Sequence, residues 1–171
     1  DLRVNKKFLL YIVKDAYNFV SKKEKDESKL TICNINNIPG LEGNFTTLKI
    51  VNDDMPFLVD SIIANIKSHN LTICYYSNSI INLKRKSGLI EGICPLEESY
   101  DSTKESVIYL IIKGISDSFV NTLRESLRRT LKAVNYSVKD WKLMLKKVDE
   151  LKDQSLASSL LPIIQQERAD R

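Results

Sequence analysis

Few side chains in this sequence stand where they could do chemistry. Asp53 and Asp54 are the most prominent carboxylates, but adjacent residues on an extended chain diverge and do not share a proton as an acid–base pair does. Glu97 and Glu98 fall in a stretch that reads as a loop. The single histidine, His69, ends a helix as a partly exposed polar residue. Cys33, Cys74 and Cys94 lie 41 and 20 residues apart without a C-x-x-C, so spacing gives neither a zinc site nor a redox pair, and reduced thiols are expected. With no nucleophile elbow and no metal-ligand spacing, no catalytic residue and no metal is expected. What remains is binding. Asn52, Asp53, Asp54 and Met55 are the candidate ligand-binding residues, at a helix start where carboxylates suit a cationic group such as an amino acid's ammonium. Two carboxylates and the lack of a glycine make a phosphate a poor guest there. The plainer role for both aspartates is to cap the helix, accepting first-turn N–H groups, and it outweighs ligand binding.

These residues are positioned by a strand-to-helix corner. Thr47 to Val51 is β-prone, and Asn52-Asp53-Asp54 breaks the strand. A helix is expected from Pro56, because proline suits the first helical position and Leu58/Val59, Ile62/Ile63 and Ile66 share one face. Pro56, Phe57, Leu58, Asp60 and Ser61 are therefore structural parts of the corner. Around it, the spacing predicts a first helix over 3–22, followed by a solvated charged run over 22–27. Strands are expected at 30–35 and 45–51, joined through a turn-rich loop holding Pro39-Gly40 and Gly43. After the helix at 56–69, Asn70 is a left-handed stop. A long strand over 71–86 is expected to bulge near 77–79, and Ser87-Gly88 turns the chain. Residues 89–104 read as an excursion. Ser106 to Lys113 is a near-continuous apolar run that suits a central strand. A long helix follows from 117, with a break expected at Asn135-Tyr136-Ser137 and another at Pro162.

Composition narrows the partners. Twenty-six basic residues against 22 acidic ones give a net charge of +4, too mild to call for nucleic acid. The longest apolar runs, Phe8 to Val13 and Val107 to Ile112, are six residues and cannot span a bilayer. No secretory pattern opens the chain. Neither nucleic acid nor membrane is an expected partner, and a cytoplasmic location is expected. Asp1 in place of methionine suggests a piece excised from something longer.

The element order strand, strand, helix, strand, strand, helix is α+β. It fits a ferredoxin-like antiparallel sheet, permuted (ββαββα), in which the strand at 30–35 takes the place of the usual last strand. Extra helices at either end would pack at the margin or reach a neighbour. A ferredoxin-like sheet also admits an RNA-binding alternative, with Tyr75, Tyr76 and Tyr109 as stacking faces beside Lys84-Arg85-Lys86. Against it, 106–113 lacks the aromatic-rich pattern of such sheets.

Asn52-Asp53-Asp54-Met55-Pro56-Phe57-Leu58-Val59-Asp60-Ser61 resembles the N-terminal region of the large, bacterial-type NAD-specific glutamate dehydrogenases. The helix before residue 22, the strand at 30–35 and Val138-Lys139-Asp140-Trp141 match in pattern. The resemblance implies an ACT-like regulatory domain. The parent enzyme would be an oxidoreductase of amino-acid metabolism, deaminating L-glutamate to 2-oxoglutarate and ammonia with NAD. No cofactor is implied in this stretch, where a G-x-G-x-x-G fingerprint is missing. On this basis 1–29 is an N-terminal helix and charged linker, 30–150 the ACT-like domain, and 151–171 a helical linker. The partners implied are other domains of the same polypeptide, a homo-oligomer of the parent, and an amino-acid effector. In ACT turns the pattern is aspartate, any residue, proline, glycine, leucine; Asp54, Pro56 and Leu58 fit it, while Phe57 replaces the glycine that lets a ligand approach.

Overall fold

The computed structural model describes residues 5–24, 27–98 and 100–169, without side chains at 142 and 152–169. The chain divides into two compact units, Asp1–Val134 and Asn135–Arg171. Its elements are α1 (Lys6–Val20), β1 (Lys29–Ile35), β2 (Phe45–Asp53), α2 (Leu58–Ser68), β3 (Ile73–Lys86), β4 (Leu89–Cys94), β5 (Thr103–Lys113) and α3 (Asp117–Ala169). Residues 1–4 of the expected first helix lie outside the described residues. That helix is shorter than its apolar pattern: Asn5 caps it through the Lys7 N–H (3.0 Å), and it closes at Ser21.

The five strands form one antiparallel sheet in the order β1-β2-β5-β3-β4, an α+β arrangement consistent with an ACT-like fold. β5 is central, pairing Glu105–Lys113 with β2 and Thr103–Ile112 with β3. The excursion expected over 89–104 contains a strand instead, β4. The Ser87-Gly88 turn, with φ of 51° and 79°, closes a two-residue hairpin, and Gly92 dilutes the alternation that would have announced the strand after it. The expected bulge at 77–79 is absent. β3 shifts register between Ile73 and Tyr75, and again between Lys84 and Arg85. Residues 135–137 and Pro162 are helical and do not break α3.

Both faces of the sheet are buried along β2 and β5. Leu48, Ile50, Ile108, Leu110 and Ile112 alternate onto one face and are 0–1% exposed. The buried stripes of α2 (Leu58, Ile62, Ile66) and α3 (Val120, Leu123, Leu127, Leu131) close over it. Asn65 on α2 donates to the Ser126 and Thr130 hydroxyls of α3 (2.8 and 3.0 Å), fixing the two helices side by side.

α1 covers the other face, a correction to the marginal position expected for it. Phe8 and Ile12 pack with Tyr109, Ile111 and Ile38, and Phe19 and Val20 with Val51, Leu83 and Val107. The physical reason is the run that made β5 recognisable: it is apolar on both faces, so its odd-numbered residues also need a cover. Asp15 fixes the helix azimuth, accepting from the Tyr109 hydroxyl (2.7 Å) and from Lys49 (2.8 Å). Burial, then the Asp15 carboxylate, pushes the Tyr109 phenol well above its usual range.

Candidate functional site

The corner between β2 and α2 differs from its sequence pattern in two ways. β2 does not break at Asn52; it carries Asn52 and Asp53 in register with Ser106 and Glu105. The helix begins at Leu58, two residues later than Pro56, after Phe57 turns in the left-handed region (φ 65°, ψ −2°). No side chain caps it, so the capping role expected of Asp53 and Asp54 is not observed. The Asp53 carboxylate is drawn instead to Lys23 (2.8 Å), and the Asp54 N–H bonds the Lys104 carbonyl (2.8 Å), which carries the extended backbone past Asp53 and delays the helix start.

The four candidate ligand residues do not converge. Asn52 is buried, donating to the Asp53 carbonyl (2.7 Å) and accepting from the Ser28 hydroxyl. Asp53 faces the other side of the sheet, Asp54 is exposed, and Met55 is half-buried. Of the structural residues, Leu58 enters the core, Asp60 and Pro56 are exposed, and the Ser61 N–H makes the first helical bond to the Phe57 carbonyl (3.0 Å).

Phe57 therefore stands in glycine's place and adopts a glycine-like backbone with its ring 71% exposed. A left-handed residue with a Cβ carries a strain of about 1–2 kcal/mol, and this ring recovers little by burial. Phe57→Gly is expected to raise stability by about 0.5–1 kcal/mol, after allowing for glycine's larger unfolded-state entropy. Urea unfolding of the two proteins measures the difference.

The most concentrated polar chemistry lies where α1 ends, and the sequence did not reveal it. Lys23, read as part of a solvated run, is only 4% exposed, and Glu105 on β5 only 1%. Arg85 Nε and Nη2 donate to the two carboxylate oxygens of Glu105 (2.8 Å each). Its other contacts are the carbonyls of Gly88 (2.9 Å) and Val20 (2.8 Å). Lys23 Nζ lies 2.8 Å from Asp53 and 3.6 Å from Glu105. These groups wall a cavity of about 460 Å³ rimmed by Glu24 and Asp101. Each buried charge has an opposite partner, so the cluster supplies no free base or nucleophile; what it does is fasten α1's end to β2, β3 and β5. Asp53 is its one member among the candidate ligand residues, and Arg85 stood out only as part of the basic group Lys84-Arg85-Lys86.

A second feature lies on the opposite side of the sheet. β4 pairs with β3 only over Asn82–Lys86, so the outer edge of Ile73–Ile81 has no strand beside it among the described residues. Along that edge runs an open groove of about 630 Å³ with an apolar floor from Val59, Ile63, Ala64 and Ile73, and with Asp60, Lys67 and Tyr76 around it. Partial burial, then Asp60, raises the Tyr76 phenol.

The stacking platform needed for RNA is not free. Tyr109 is 2% exposed, Tyr75 meets the Phe8 ring edge-on at 5.2 Å, and Arg85 is committed to Glu105. Among the described residues, no group of side chains could hold a metal ion, and no helix is long and apolar enough to cross a membrane.

The family model described as glutamate dehydrogenase, ACT1 domain, matches residues 2–127. The chain is also similar to a NAD-specific glutamate dehydrogenase of Pseudomonas aeruginosa, 23% identical over 140 residues. That match covers 80% of this chain and 9% of the relative's length. No solved structure matches.

Proposed function

Because this chain belongs to the glutamate dehydrogenase ACT1-domain family, we propose that it is a non-catalytic regulatory and assembly domain of a NAD-specific glutamate dehydrogenase. The parent would deaminate L-glutamate to 2-oxoglutarate and ammonia in the cytoplasm, with NAD bound elsewhere in the polypeptide. The sheet is then a permuted ferredoxin-like one, with β1 beside β2 where the last strand of an unpermuted unit would lie.

The free edge of β3 carries the assembly reading. The outer edge of 73–81, nine residues long and with no strand beside it among the described residues, recruits a further strand, and the α2 groove gives that strand's side chains an apolar berth. A second copy of this chain would pair antiparallel, with opposed residues on the same face. The free stretch is centred on Ser77, so a twofold axis there sets 73 against 81 and 75 against 79. Amino-acid sensing stands second, because Phe57 occupies the approach that a ligand's main chain would use.

The test is a Ser77→Cys variant in which Cys33, Cys74 and Cys94 are serine. Opposed residues lie within about 4.5–5.5 Å at Cβ, so mild oxidation should yield a cross-linked species of twice the 19.6 kDa chain. The same chain with Asn18→Cys instead should stay uncrosslinked. A monomer by sedimentation, together with no Ser77→Cys link, would remove the assembly role.

A further inference from the structure

α1 carries two apolar surfaces, and only one of them is used by the fold. Phe8, Ile12, Phe19 and Val20 face the sheet. On the opposite side Leu10, Val13 and Tyr17 recur at steps of three and four residues and are 69%, 63% and 65% exposed. A seam of this spacing, two turns long, fits the apolar face of another helix.

The charges around the seam say which kind of helix. Lys6, Lys7 and Lys14 are exposed on α1. Its one acidic residue, Asp15, is turned away toward Lys49 and Tyr109. The first turn contains no acidic residue, so Lys6 and Lys7 sit at the positive end of the helix dipole, where cations are unfavourable. Carboxylates supplied from outside would relieve both that and the lysines' mutual repulsion. A second α1 would bring lysine against lysine instead, which disfavours a twofold contact here.

We propose that the outer face of α1 is a docking surface for an acidic amphipathic helix, with apolar residues at i, i+3 or i+4, and i+7 flanked by Asp and Glu. This surface is separate from the β3 edge and does not depend on it. The lysines select and steer the partner, while Leu10, Val13 and Tyr17 supply the apolar contact.

A titration of the ¹⁵N-labelled chain with an 18-residue Leu/Glu amphipathic helix, followed by amide chemical shifts, tests this. The expected result is saturable shifts confined to α1, with binding about tenfold weaker at high salt or when the peptide's glutamates become lysines. A Leu10→Ser/Tyr17→Ser double variant, solvent-facing and therefore still folded, should lose the response. Equal binding to the lysine peptide, an unchanged response in the double variant, or no shifts at all would overturn the proposal. So would shifts produced by phosphatidylglycerol vesicles but not by the acidic peptide.

Discussion

Glu105→Ala should be among the most damaging single substitutions, lowering stability by about 3–5 kcal/mol. The carboxylate is 1% exposed and holds Arg85 by two bonds and Lys23 by a third contact. Without it, the Arg85 guanidinium loses its carboxylate and the buried Lys23 ammonium keeps only its contact with Asp53, which is itself partly exposed. The loss is a large fraction of the 5–15 kcal/mol typical of a whole domain. Urea unfolding followed by circular dichroism would measure it. A loss below about 1 kcal/mol, the range of exposed pairs, would mean that water reaches the cluster and that its closure over α1's end is wrong. Lys84 and Asp101, paired at 2.9 Å but exposed, provide the internal contrast: Asp101→Asn, which removes the charge and still suits the left-handed backbone there (φ 55°), should change little.

Phe8→Ala should destabilise the first unit by about 3–5 kcal/mol, the range for a large core aromatic. Phe8 is 2% exposed and packs on Tyr75, Tyr109 and Ile111. If α1 were an appended linker helix, the same change would be nearly neutral. Thermal melts of Phe8→Ala beside the exposed Leu10→Ala separate these outcomes, because both lie on α1 but only the first touches the sheet.

The parts of this fold that were legible from sequence are those whose pattern is set locally. The apolar run of β5 announced a central strand, the Ile62/Ile66 spacing announced α2, and Asn70 and Ser87-Gly88 do turn through positive φ. β4 was hidden because Gly92 weakens its alternation. The covering role of α1 was hidden because an amphipathic stripe tells that a helix is buried on one side, not against what. The candidate site suffered most. Asp53 and Asp54 had the right chemistry for a cap, yet Lys23, 30 residues away in sequence, took the Asp53 carboxylate, and Lys104, 50 residues away, fixed the Asp54 backbone in extension of the strand. Nothing local marks Lys23 or Glu105 as buried, since burial of a charge is decided by the counter-charge that folding brings to it.

The distance in sequence between α1 and its seat has a kinetic consequence. Asp15 and Tyr109 are separated by 94 residues, and the ledge that α1 rests on is incomplete until β5 has joined β2. During synthesis the helix emerges early and waits with both oily sides in water. Closure of such a long loop belongs late in folding, so loosening α1 should quicken unfolding far more than it slows refolding.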